Sequence, residues 1–192
     1  MNYGISVLFR AIPLLMALFC FGYGAFVLGM GTDPARYVAG PVVMSLGMIC
    51  IALFATAATI IRQIIHTYNT VAKYALPVLG YLAALLTFIY GWEYFSEAPT
   101  AGHFVAGHVM AGISCICTSL VALVATIVRQ IRNSYSHSER KWWPAVVLAM
   151  GTLGILWGLL VTTEHNPAKS SIGYIMIGLG LVCYSISSKV IL

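Results

Sequence analysis

The sequence predicts an all-α integral membrane protein of six transmembrane helices, arranged as three parallel two-helix hairpin repeats. Three observations carry that prediction. The 192 residues are 60% hydrophobic and 8% charged, against roughly 25% charged in a soluble domain, so most of the apolar surface must face lipid or other membrane helices. The apolar residues form six runs, at about 7–29, 38–61, 75–95, 104–128, 144–162 and 171–190, and a span needs roughly 20 residues. One segment is also written twice, 67 residues apart: residues 37–64 return as 104–131, and both copies end in Arg-Gln-Ile.

The first run continues beyond Arg10 to Met30 with no small-x-small cleavage site. A signal-peptide apolar core is roughly 7–15 residues long, so a mature first helix is expected. The second and fourth runs are the duplicated pair. The third and fifth match through Pro77 and Pro144 and through Gly91 and Gly158, again 67 apart. The sixth follows the fourth at an offset of 66: Gly107, Gly112, Cys117 and Ser119 return as Gly173, Gly178, Cys183 and Ser185. Cys50, Cys117 and Cys183 are therefore equivalent positions. The first run is the most diverged, with Pro13 three residues out of register.

The repeating unit is thus a hairpin of about 67 residues, with repeats at 7–69, 74–136 and 142–192 of a single transmembrane domain covering 1–192. Two spans bring the chain back to its starting side, so all copies share one orientation. Pro13, Pro77 and Pro144 are expected at the starts of odd helices and Pro41 in the first turn of an even one, where a missing N–H costs little.

Charge sets the orientation. One side carries Arg10, Arg62, Lys73, Arg129, Arg132, Arg140, Lys141 and Lys189, the other only Arg36 and Lys169. Positive residues mark the cytoplasmic side, so both termini are expected in the cytoplasm. The net charge of +5 lies in short segments beside apolar runs, which is a topology signal and excludes a nucleic-acid partner. Membrane lipid is the expected neighbour, with a homo-oligomer or a second membrane protein as possible partners. Aromatic residues flank both interfaces, Trp142, Trp143, Tyr68, Tyr74 and Tyr135 inside and Tyr37, Trp92, Tyr94 and Phe95 outside, as membrane belts do.

The outer side is rich in ionisable groups, Asp33, Glu93, Glu97, Glu164, His103, His108 and His165, and histidine is the residue type suited to responding to mild acidification. His108 lies about one turn inside the fourth span. An ionisable group within a span is costly and usually faces protein or water. Its repeat-mates are Pro41 and Tyr174, so the repeat itself does not require a histidine. It reads either as an interfacial histidine bonded to a carbonyl or as a proton-sensitive gate. Glu93, near the end of the preceding span, is its natural partner at similar depth, or a group reaching the headgroups. The candidate outer mouth is Glu93 and His108, with His103, Glu97 and His165 nearby.

The even helices carry small, weakly polar stripes at steps of three and four. They include Ser45 and Thr59 on the second, Gly112, Ser119 and Thr126 on the fourth, and Tyr174 and Ser185 on the sixth. Small residues permit close helix packing; the alternative is a narrow path lined by the three helices. Cys20, Cys50, Cys115, Cys117 and Cys183 all sit in spans without a CxxC, so no disulfide, metal or cofactor is expected. HExxH, Walker A and GxSxG are missing, and nothing points to an enzyme.

The stretch Phe104-Val105-Ala106-Gly107-His108-Val109 resembles a motif of the YhiM-like family of bacterial inner-membrane proteins. Residues 37–42 give it with Pro41 in place of the histidine, and residues 124–133 and 180–190 also match. The likeness covers nearly the whole chain. It implies a multi-pass protein of the bacterial inner membrane associated with survival in acid. With the ionisable groups at the outer mouth, the expected role is conducting or sensing protons or a small solute, and the alternative is a non-transporting scaffold for another membrane protein or lipid. Family members are longer, with more histidine-bearing motifs.

Overall fold

The computed structural model describes residues 3–29, 34–64, 69–96, 100–131, 137–163, 165 and 167–190. Among them are six helices: α1 (Tyr3–Gly29), α2 (Pro34–Ile64), α3 (Thr70–Ser96), α4 (Ala101–Ile131), α5 (Glu139–Thr162) and α6 (Pro167–Val190). Each contains an apolar stretch long enough to cross a membrane. Each also starts before its apolar run, because polar lead-in residues such as Thr70 and Glu139 propagate the helix outward.

This moves the prolines. Pro34 and Pro167 open α2 and α6, where a fixed φ suits the first helical position. Pro13, Pro41, Pro77 and Pro144, expected in first turns, lie deeper within their helices. Each therefore removes one i→i−4 hydrogen bond, a loss that neighbouring helices make tolerable in membrane proteins.

Each odd helix packs along the even helix that follows it. The even helices form a row, α2–α4–α6, and α2 and α4 also touch the odd helix that comes next, α3 and α5. The fourth helix thus has neighbours on four sides, and 56% of its apolar window is buried against 11% for α1. The main core forms where α2, α3, α4 and α6 meet, around Ala52, Ala84, Ile113, Cys117 and Cys183.

Paired glycines set how close the helices come. A Cβ on Gly107 would lie 2.7 Å from the carbonyl oxygen of Gly91, and one on Gly91 would lie 3.0 Å from that of Gly107. Gly24 and Gly40 make the same reciprocal contact between α1 and α2, and Gly158 and Gly173 between α5 and α6. Without side chains at these points the backbones touch and dispersion acts along the whole helix pair. Hydroxyls also cross between helices: Ser114 Oγ donates to the Ala84 carbonyl at 2.8 Å, and Thr152 Oγ1 meets the Tyr184 hydroxyl at 2.7 Å. Such bonds are worth about 0.6 kcal/mol each in a membrane, so packing rather than hydrogen bonding dominates.

Gly107→Ala should therefore lower stability by about 1–3 kcal/mol, the usual cost of overpacking. Gly22→Ala, where a Cβ meets nothing within 4 Å, should be neutral or slightly stabilising. Thermal unfolding of the two purified variants in detergent checks the contrast.

Candidate functional site: a histidine groove across α3, α4 and α5

The close approach at Gly91 and Gly107 lays the end of α3 onto the start of α4 and brings Phe95 over His108. On the opposite side α5 contributes Leu153 and Trp157. The result is an apolar groove of about 260 Å³, lined by Phe88, Trp92 and Phe95 of α3, His108, Ala111 and Cys115 of α4, Leu153 and Trp157 of α5, and Met176 of α6.

His108 forms part of its wall and is only 3% exposed. Its Nδ1 lies 2.7 Å from the Phe104 carbonyl oxygen. A carbonyl only accepts, so Nδ1 carries the hydrogen, and in the neutral ring Nε2 holds the lone pair. Three aromatic rings from three helices surround the imidazole. Phe104 is 4.1 Å away between centroids and tilted 35°, Phe95 is edge-on at 4.8 Å, and Trp157 is at 6.0 Å and tilted 36°. The arrangement can accept a proton on a ring whose positive charge would face π systems, an attraction worth about 0.5–2 kcal/mol.

The remaining candidates are more scattered. Glu93 is exposed on α3 and does not line the groove; the partner that α3 brings to His108 is Phe95. His103 stacks on Tyr94 at 5.5 Å, with its Nδ1 2.8 Å from Thr100 Oγ1. His165 is exposed. Glu97 lies outside the described residues.

The expected even-helix stripe divides in two. On α4, His108, Ala111 and Cys115 line the groove, whereas Gly112, Ser119 and Thr126 are buried in the bundle. The buried hydroxyls of Ser45, Thr59, Ser119 and Thr126 bond carbonyls of their own helices at 2.7 to 3.1 Å, which satisfies them in an apolar surround. A Cβ on Gly112 would come within 2.4 Å of Leu179 on α6. Tyr174 and Ser185, expected on the same path, are instead exposed on α6; Tyr174 is 70% exposed.

A second groove, of about 360 Å³, runs across α2, α3 and α1. Eight of its eleven lining residues lie 67 positions before residues of the histidine groove, and Met110 lies 66 before Met176. The two are therefore one kind of site with different walls: Pro41 replaces His108, Tyr90 replaces Trp157, and Leu28 replaces Phe95.

Sequence reasoning missed Phe95 and Trp157 as site residues. Phe95 reads as part of an aromatic belt and Trp157 as filler within a glycine motif. The signal that finds Trp157 is the repeat, which sets Tyr23, Tyr90 and Trp157 in register.

A family model described as protein of unknown function, DUF2776, matches residues 1–108 and again residues 96–192. The chain is 30% identical to the inner membrane protein YhiM of Escherichia coli (strain K12), over 274 residues covering 99% of this chain and 78% of that protein. This chain belongs to the YhiM-like DUF2776 family. The aligned stretch is longer than this DUF2776 member itself, so YhiM carries inserted residues with no counterpart here. With a relative in the inner membrane and six apolar helices of its own, this YhiM-like chain is a multi-pass membrane protein. No solved structure matches it.

Burial predicts the chemistry of the histidines. Diethyl pyrocarbonate should modify the exposed His137 and His165 readily and spare His108, while Trp157→Ala should expose His108 to the reagent. Peptide mass spectrometry of the modified protein reads the order; early modification of His108 in the unaltered chain would contradict its enclosure.

Proposed function

We propose that this chain is a proton-sensing protein of the bacterial inner membrane that acts in the acid-stress response, built as three parallel hairpins with both termini in the cytoplasm. The observation that carries the sensing role is His108: an ionisable ring within a span, bonded to the Phe104 carbonyl and boxed by aromatic rings from three helices. The family resemblance supplies the acid setting. The equivalent glycine contacts in all three helix pairs, and two grooves built from residues 67 apart, support the repeat reading.

Histidine changes charge between pH 5 and 8, the range a cell crosses on acidification. Among the described residues no acidic side chain lines the groove; Cys115 is the other titratable group there, and Glu93 of α3 stands outside it. Protonation would place a positive charge among largely apolar walls. Cation–π attraction offsets only part of its desolvation. The charged state would favour an arrangement in which α3 or α5 parts from α4 and admits water or a headgroup phosphate. The own-helix bonding of the even-helix hydroxyls favours sensing over conduction by a single copy. It also gives weight to a second reading, a non-transporting scaffold that holds another membrane protein or lipid.

His108→Asn keeps an N–H for the Phe104 carbonyl and cannot be charged. Cells relying on this variant should lose survival at low pH as fully as those carrying His108→Ala, with unchanged protein levels. Acid survival equal to the unaltered chain would remove His108 from the mechanism. For orientation, cysteine at Thr100 or at His165 should react with an impermeant thiol reagent added outside the inner membrane; labelling of either position from the cytosol alone would overturn the hairpin arrangement.

A further inference from the structure

Repeat-mates on the three even helices occupy different surroundings at one end of the molecule. On α2, Ser45 and Ala52 are 2% and 0% exposed. Their mates on α4, Gly112 and Ser119, are buried in turn. The next mates on α6, Gly178 and Ser185, are exposed, and a Cβ on Gly178 would meet nothing within 4 Å. The first two faces are covered by the following hairpin; the third carries the same residue pattern and has no following hairpin within this chain.

The opposite end shows the complementary gap. Ile113 and Leu120 of α4 are 2% and 9% exposed where they pack toward α2. Their mates on α2, Leu46 and Leu53, are 44% and 42% exposed. On the odd helices, Tyr90 and Trp157 line the two grooves while remaining about as exposed as their mate Tyr23 on α1, which stacks on Phe19 and lines neither groove. The leading face of the first hairpin therefore carries, unused, the positions by which the second and third hairpins seat on their predecessors.

We propose that the α6 face around Gly178 and Ser185 seats the α1–α2 face of a second copy of this chain in the same membrane orientation, so that hairpins continue end to end from one molecule into the next. The inference rests on the three-hairpin reading above. The occupant follows from continuity: the α2·α4 and α4·α6 contacts are two internal instances of this junction, and the residues that fill both reappear at the chain's two ends. The contact is heterologous, joining unlike faces, and so builds a ring or a row according to its rotation. It also forms a third groove, in which Tyr174 takes the place of His108 and Tyr23 of the second copy that of Trp157.

The internal junctions specify a test. Ala52 shares a core cluster with Cys117, and one repeat later Ser119 bonds Cys183. The third instance sets Ser185 beside Cys50 of the second copy. With Cys20, Cys115, Cys117 and Cys183 replaced by alanine, Cys50 kept and Ser185→Cys introduced, mild oxidation in native membranes should give a ladder of covalent oligomers. Chains holding either cysteine alone should stay monomeric. A dimer from Ser185→Cys alone would mean α6 pairing on α6 and would overturn the proposal, as would no cross-link in the double variant.

A photo-reactive phenylalanine at Tyr174 in the otherwise unaltered chain guards against misfolding of the cysteine variants. Its adducts should map to α1 or α2 of another copy; adducts to lipid only would refute the junction. Gly178→Leu should abolish both cross-links without shifting the thermal midpoint of the protein in detergent, and undiminished cross-linking in this variant would count against the contact. The impermeant labelling at Thr100 and His165 separates the two failures. Outside labelling with no cross-link discards the assembly and leaves the hairpins standing, whereas cytosolic labelling discards both.

Discussion

The rest of the structure depends on backbone touching backbone at Gly91 and Gly107. Lipid tails are as apolar as leucine, so helices in a bilayer gain little from hiding apolar side chains against one another; they associate through close packing. A glycine on each side lets α3 and α4 reach contact along their length, and Gly24–Gly40 and Gly158–Gly173 do the same for the other two helix pairs. The histidine groove follows from this contact, because the approach that joins the two backbones also swings Phe95 across the imidazole of His108. One small-residue position thus links the stability of the pair to the geometry of its candidate sensor.

Much of the architecture was legible because a span is specified by length and apolarity alone. All six helices were predicted from these two properties, and the repeat offset found the paired positions later seen in the two grooves. Side-chain direction was less legible. The four-residue steps on α4 read as one stripe, yet α4 has neighbours on four sides, so the stripe splits between groove and core. Tyr174 and Ser185 match buried positions in sequence but are exposed, since a face is buried only when another hairpin covers it. Glu93 sits at about the right depth to meet His108 but is exposed and lies outside the groove lining; depth follows from counting residues, azimuth from packing. The prolines fell deeper than expected because polar residues ahead of each apolar run extend the helices outward.

The two grooves show how a repeat separates scaffold from specificity. Glycines at the helix contacts are kept between copies, while the walls differ: Pro41 against His108, Leu28 against Phe95, Tyr90 against Trp157. Packing demands act on the first set and are the same in each hairpin. The second set faces a space and is free to change. A histidine at such a wall position leaves the glycine contacts between backbones in place and packs its ring against side chains of α3 and α5, which helps an ionisable group to be accommodated within a span despite its cost.

An array in which each unit contacts only its neighbours has a stability that is nearly a sum of unit and junction terms. Adding or removing a hairpin then changes the length without rebuilding the core. Repeat arrays in water end in polar caps that keep the last face soluble. A bilayer removes that requirement, since lipid can cover Leu46 and Leu53 as well as another helix can. Faces of α2 and α6 that no other helix of this structure covers are therefore under no pressure to diverge for solubility, and the recurrence on α6 of glycine and serine at the junction positions, which lipid contact alone does not call for, is what gives the end-to-end contact its physical case.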